Sequence, residues 1–309
     1  MFDAVRLWLE KGTLRSMTKL SLKKARFIYA FIAIPVMFYF VMVIVPVFVS
    51  LFYSLFDWSD GTKMTFIGID NYKRLLNDTD FWRSFKNTCI FTLYMVLGQV
   101  GIALIFTLFM TMKWVRFKKV HRFLMFLPSI LSAVVTGLVW QLIFNRDVGL
   151  LNYLLRFLHL ENLIRLWLDD PKIVLNMASI PVVWQFVGYY MTIMASSVSS
   201  IPTEIFESAE LEGAAGFKRT VYITIPLIAP TIGTCAMLSA IGSMKAFDHI
   251  MVMTGGGPGT TSMVMGLYAY NQTFKTQSLG YGNALAIGML FITIVLVLPV
   301  LLARRKKLS

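Results

Sequence analysis

The chain has 309 residues, of which 57% are apolar and only 15% charged, against roughly 25% charge in an ordinary soluble domain. With a mean hydropathy of +0.68, it excludes a protein whose whole surface meets water. The formal net charge of +13 invites a nucleic-acid reading, but 18 of the 29 Lys/Arg sit in short clusters beside apolar runs; that is membrane patterning, and no nucleic-acid partner is expected.

Residues 1–26 carry seven Lys/Arg. Phe2, Val5, Trp8 and Leu9 recur there at helical spacing, so the segment is either an interfacial helix or a basic tail. Charge-free runs follow at 27–56, 87–112, 123–144, 173–203, 220–244 and 276–303. Each supplies the ~20 residues a helix needs to cross a bilayer. Lipid offers backbone groups no water, so helices are the natural form. The first run is longer than the core of a cleavable signal peptide and is read as a span.

A seventh charge-free run, 249–274, contains "TGGGPGTTS" and reads as a loop. The expected fold class is therefore an all-α membrane protein with six transmembrane helices, spanning 27–303, with a basic tail at 304–309. With six spans the basic clusters fall on one side, and the positive-inside rule puts both termini in the cytoplasm.

Between the spans, an external loop is expected at 57–86 and a short basic turn at 113–122. The third span contains Pro128. The stretch "GLLNYLLRFLHLENLIRLWL" (149–168) suggests a helix lying on the outer face, because Arg156, Glu161 and Arg165 would be costly in lipid. The fourth run holds "VVWQFVGYY" (182–190), where Gly188 allows close approach of another helix. The fifth span starts near Pro226. Beyond it, Lys245 either snorkels outward or pairs with Asp248. Ala284 and Gly288 offer a small-residue packing surface in the last span. Cys89 and Cys235 read as apolar packing residues, and no metal-ligand spacing exists.

Residues 201–225 separate the fourth and fifth spans with a polar, helix-forming segment. Thr203 is a candidate N-cap. Glu204 and Glu207 fall in the first turns, where the helix dipole favours carboxylates. Gly213 ends or bends this helix. A second short helix then presents Phe217 as an apolar knob. Four glutamates on the otherwise basic side suit either a polar inter-span loop or a segment docked in a partner's groove.

The residues Glu207-Ser208-Ala209, Gly213 and Ile223-x-Ile225-Pro226 resemble the EAA motif of binding-protein-dependent ABC importer permeases. Ser208 stands where Ala is usual and Ile225 where Leu is usual. The stretches "FDHIMVMTGGGPGTTSMVMGLYAYNQTF" and "FLPSILSAVVTGLVWQLIFNRDVGLLN" look like the sugar-importing branch, so the resemblance covers most of 123–303. It implies a type I ABC importer permease fold in a bacterial cell membrane. It further implies a coupling helix seated in a separate ATPase, with Glu207, Ser208, Ala209, Gly213 and Phe217 at the contact.

The partners implied are two ATPase subunits, a second permease chain forming a heterodimer, and an extracytoplasmic solute-binding protein docking near "TGGGPGTTS". The chain has no G-x-x-x-x-G-K-[ST] motif and no catalytic residues, so it carries no cofactor; ATP and Mg belong to the ATPase subunits.

Sugars are held by aromatic faces and hydrogen-bonding side chains. The candidates are Trp184, Gln185 and Tyr189 in the fourth span, Gln141 in the third and Ser243 in the fifth. Trp184 and Tyr189 align with an aromatic pair of the maltose-type site. Ser243 and Ala246 stand where that site has asparagines. Trp and Tyr also serve as interfacial anchors. Two other readings stay open at this point: an ion-coupled secondary transporter, which would need ionisable residues within its spans, and a membrane scaffold.

Overall fold

The computed structural model describes residues 22–59, 63–112, 115–214 and 216–308. The expectation for residues 1–21 lies outside them. Helix α1 (Leu22–Tyr39) passes through a π-helical turn, Phe40–Ile44, into α2 (Val45–Tyr53). Pro46 lacks an N–H to donate to the preceding turn, and the wider π turn accommodates it. The run Ile28–Tyr53 is exposed almost all round and meets the rest of the fold through α2.

The expected external loop is more structured than a loop. It holds a hairpin of β1 (Phe56–Ser59) and β2 (Lys63–Phe66), paired antiparallel with Phe56 opposite Phe66. Helix α3 (Asp70–Asn77) follows. The Asn71 amide donates to the Ser54 and Phe56 carbonyls at 2.8 and 2.9 Å, which fixes hairpin to helix. Helix α4 (Thr79–Met95) starts eight residues before the charge-free run, because the Asp78 carboxylate caps it through the Asp80 and Phe81 N–H groups. A π turn at Val96–Val100 leads into α5 (Gly101–Thr111).

The third span is not straight. Helix α6 (Lys118–Phe126) and a 3₁₀ turn, Leu127–Ile130, meet α7 (Ala133–Ile143) at a 98° bend. Pro128 tightens the end of the first half, and Ser132 caps the second by accepting from the Val135 N–H. The surface helix expected over 149–168 is shorter, α8 (Leu150–Phe157). His159 takes a positive φ of 55° and turns the chain, and Trp167 folds back to donate to buried Asn152.

Helix α9 (Val174–Ser199) is the centre of the bundle, packed against α4, α5, α6 and the fifth-span helix. Half of its 26 residues are buried. Gly188 is one reason. A Cβ there would strike the Met125 backbone, so only glycine lets α6 lie this close.

The polar segment between the fourth and fifth runs folds as α10 (Thr203–Leu211). Pro202, not Thr203, occupies the cap position, with no side-chain bond; Thr203 is already helical. The second short helix is not separate. Its first turn, α11 (Phe217–Arg219), runs through a π turn at Thr220–Thr224 into α12 (Ile225–Met244), one helix over Phe217–Met244. Pro226 thus lies inside a helix, directly after a π turn, as Pro46 does.

Two short helices, α13 (Asp248–Met253) and α14 (Met265–Tyr270), bracket the glycine-rich loop. After a π turn at Asn271–Lys275, α15 (Leu279–Leu308) closes the fold, its backbone helical through most of the expected tail. Ala284 is buried, and a Cβ on Gly288 would meet Leu75 Cδ1 at 2.8 Å. The small-residue surface therefore receives α3 rather than another span.

Among the described residues, four helices are long and apolar enough to cross a membrane, or five with the bent pair. Helix α9 has the length, about 39 Å at 1.5 Å per residue, without the apolarity. Gln185, Ser179 and Tyr190 lower it, and all three are buried against protein rather than lipid.

Candidate functional site

Three features distinguish this fold chemically: the α10–α11 hairpin, a polar cavity beside α9, and the glycine-rich loop.

In the hairpin, Gly213 (φ +78°) and Gly216 (φ +57°) supply left-handed backbone that other residues adopt at a cost. The Ala214 N–H donates to the Ala209 carbonyl at 2.8 Å, closing the end of α10 as a left-handed cap does. Arg219 Nη1 then meets Glu210 Oε1 at 3.0 Å, and its guanidinium lies 5.3 Å over the Phe206 ring. Glu207, Ser208, Gly213 and Phe217 are exposed, whereas Ala209 is buried at 5%. Leu211 and Phe217 are 90% and 80% exposed, an unusual display of large apolar side chains beside glutamates.

The second feature is a cavity of about 260 Å³ where α9, α12 and α13 meet, lined by Gln99, Tyr190, Ser239, Ser243, Lys245 and His249 with aromatic neighbours. Behind it the polar groups form a chain. Ser243 donates to the Ser239 carbonyl at 2.6 Å, and Ser239 to Gln99 Oε1 at 2.8 Å. Gln99 Nε2 donates to the Val182 carbonyl at 3.1 Å.

Gln185 is 2% exposed. Its Nε2 donates to the Leu131 carbonyl at the elbow of the bent pair, 2.7 Å away. Its Oε1 receives His249 Nε2 at 2.6 Å, which requires the Nε2–H tautomer. Burial holds the His249 imidazole below its ordinary value, and the Asp248 charge partly opposes this.

The five substrate candidates are therefore not one constellation. Ser243 lines the polar cavity, and Gln185 lies behind it, its amide committed at both ends. Trp184 faces a separate, apolar cavity of about 710 Å³ with Trp140, the two rings 5.9 Å apart. Tyr189 is half-exposed and packs edge-on against Tyr190. Gln141 is exposed on α7. A step of one residue along a helix turns a side chain by about 100°, which separates Trp184 from Gln185. Sequence reasoning missed Gln99, Tyr190 and His249. A glutamine inside an apolar run was the available signal for Gln99; His249 lay in a stretch read as loop. Lys245 and Asp248 are both exposed and do not pair with each other.

The glycine-rich loop is a closed turn with positive φ at Gly255, Gly256 and Gly259. Thr254 and Ser262 hydroxyls meet at 2.8 Å, and Ser262 donates to the Gly257 carbonyl at 2.6 Å. Helix α4 holds the loop down. The Asn87 amide reaches the carbonyls of Thr261 and Met263 at 3.1 and 2.9 Å, and Arg83 donates to Thr260 at 2.7 Å. One turn earlier, Asp78 accepts from Tyr268 at 2.5 Å and from Tyr281. Burial raises the Asp78 pKa, but the bonds from both phenols and from the Phe81 and Asp80 N–H groups outweigh it and leave the carboxyl below its usual range.

This arrangement has close counterparts. A probable ABC transporter permease protein of Pyrococcus horikoshii is 37% identical over 82% of this chain and 86% of its own. A diacetylchitobiose uptake system permease protein of Streptomyces coelicolor is 25% identical over 93% of this chain and 84% of its own. The fold superposes on a chain of a crystal structure of a bacterial ABC transporter involved in the import of the acidic polysaccharide alginate. The TM-score is 0.81 at 19% identity, covering 97% of this chain and 99% of that one. Residues 99–306, from the buried glutamine of the polar cavity to the last turn of the final helix, match one family description. With the hairpin, the bent span and that match in hand, the chain belongs to the binding-protein-dependent transport system inner membrane components.

Proposed function

We propose that this chain is a transmembrane permease subunit of an ATP-driven, binding-protein-dependent sugar importer. The observation that carries the reading is the continuity of Phe217–Met244. The hairpin is pinned to the first turn of a 28-residue helix by Glu210 and Arg219, so a push on the hairpin moves the helix rather than being lost in a flexible loop. The exposed Glu207, Ser208, Leu211 and Phe217 form the contact for an ATPase subunit. ATP and Mg bind to that subunit, and hydrolysis occurs there.

In this reading α9, the fourth run, completes the six spans although it is enclosed by protein, and both termini are cytoplasmic. A second, different permease chain covers exposed apolar surface of this one. An extracytoplasmic solute-binding protein docks at the glycine-rich loop. Oligosaccharide is the substrate class, in keeping with the diacetylchitobiose relative. The polar cavity at Ser243, His249 and Tyr190 is the better supported place for hydroxyl groups, because donors, acceptors and rings converge there. ATPase closure drives the hairpin and α12 between outward-open and inward-open states.

Two variants test this in proteoliposomes containing the assembled importer. Gly213→Pro forces φ near −65° where +78° is required. Glu207→Arg reverses an exposed charge at the contact. Both are expected to abolish uptake while membrane insertion stays normal. Normal uptake in both removes the reading.

A further inference from the structure

Beneath the hairpin, between α6, α9 and α11, lies a cavity of about 310 Å³. Lys118, Arg122 and Arg219 line it, together with the hydroxyl-bearing Thr111, Ser199 and Thr224, and no acidic side chain does. Lys118 and Arg122 stand one turn apart on α6. Neither makes an ion pair among the described residues. The Nε of Arg122 is buried and has no hydrogen-bond partner there. Arg219 uses Nη1 on Glu210 and its face on Phe206, which leaves further N–H donors.

A buried guanidinium nitrogen without an acceptor carries an uncompensated desolvation cost. Positive charges gathered around one cavity repel one another. One kind of occupant removes both costs: an anion with several acceptor oxygens. A carboxylate offers two oxygens in one plane, whereas a phosphoryl group offers three or four in a tetrahedron. The latter can accept from Arg122, Lys118 and the hydroxyls together.

We propose that this cavity binds a phosphoryl group, carried either by an anionic phospholipid headgroup or by a free phosphate. The bound group joins α6, the first half of the bent pair, to Arg219 at the root of the hairpin. It thereby braces the hairpin against α6 and, through the close α6–α9 contact at Gly188, against the centre of the bundle. The cavity stands on its own geometry and does not depend on what the protein transports.

The test uses the full chain purified with the subunits it assembles with. One arm titrates inorganic phosphate in detergent and reads the melting temperature. The other compares nanodiscs of phosphatidylcholine alone with nanodiscs containing phosphatidylglycerol, and counts retained phosphatidylglycerol by native mass spectrometry. Lys118→Gln and Arg122→Gln are each expected to weaken binding by about tenfold, the loss of one charge-assisted contact. The exposed neighbour Lys119→Gln should bind as wild type does. A response to inorganic phosphate identifies a free anion; a response to phosphatidylglycerol alone identifies the lipid; either supports the site. No response to both probes overturns the proposal, as does an equal response in Lys118→Gln and Lys119→Gln. Should Arg122→Gln fail to assemble, Lys118→Gln carries the same comparison.

Discussion

Arg219 and Glu210 meet at 3.0 Å across a turn that contains two positive-φ glycines, and this contact, with the Arg219 guanidinium over the Phe206 ring, ties the α10–α11 hairpin to the first turn of the fifth-span helix. The arginine is largely covered, with 17% of its side chain exposed, while the glutamate is 42% exposed. An ion pair of that kind contributes little to global stability, about 1 kcal/mol or less. Under the proposed function its consequence is mechanical. Glu210→Gln is expected to leave assembly and ATP hydrolysis largely intact while lowering sugar uptake per ATP several-fold. Measuring uptake and hydrolysis in the same proteoliposomes checks this; an unchanged ratio removes the pinning role.

Gly188 permits a close approach of α6 to α9. Gly188→Ala drives a methyl group into the Met125 backbone and is expected to cost about 1–3 kcal/mol or more, as overpacking does. Gly101→Ala, where the added methyl meets open space, should melt at or above the wild-type temperature. Thermal unfolding of both variants in the same detergent provides the comparison.

Gln185 distinguishes a structural amide from a substrate contact. Gln185→Leu leaves the Leu131 carbonyl and the His249 N–H without partners, a loss of about 1–3 kcal/mol for each group. A lowered melting temperature with unchanged KM in the surviving transporter is expected. Ser243→Ala should instead raise KM at nearly wild-type stability, since Ser243 lines the polar cavity and its hydroxyl oxygen, while donating to the Ser239 carbonyl, keeps acceptor capacity for a substrate hydroxyl. An altered KM in Gln185→Leu with normal melting would assign that amide to the substrate.

Asp78 makes stability depend on pH. Its carboxyl is held below the ordinary value, so the folded state binds a proton less readily than the unfolded chain does. The contribution is full above the unfolded value of about 3.9 and is lost as pH falls through the lower folded value. Asp78→Asn is expected to melt lower than wild type at neutral pH and to converge on it below about pH 4. Melting temperatures between pH 3 and 7 check the sign; a constant gap at all pH values contradicts it.

The long apolar runs were legible because lipid imposes a simple rule: backbone groups must be satisfied within the segment. Four of the six expected runs overlap helices that are long and apolar enough to cross a membrane, and a fifth is the bent pair. The helix starts were less legible. Thr79 precedes its charge-free run because Asp78 caps the helix, and Phe217 precedes Pro226 because a π turn absorbs the proline. Both depend on local backbone geometry that hydropathy does not encode. The 98° elbow after Ile130 had only Pro128 to announce it.

The sequence by itself determined a helical membrane protein, the hairpin between the fourth and fifth runs with its glycine at 213, and the glycine-rich turn at 255–259. These follow from short-range rules of apolarity, charge and backbone freedom. Only the tertiary structure decided which polar side chains meet. Trp184 and Gln185 are adjacent in the chain yet face different cavities. Gln99, Gln185 and His249 are far apart in the chain yet belong to one polar region around α9. The physical reason is that a buried polar group is satisfied by whatever the packing of helices brings within about 3 Å, and that packing is set by contacts distant in the sequence.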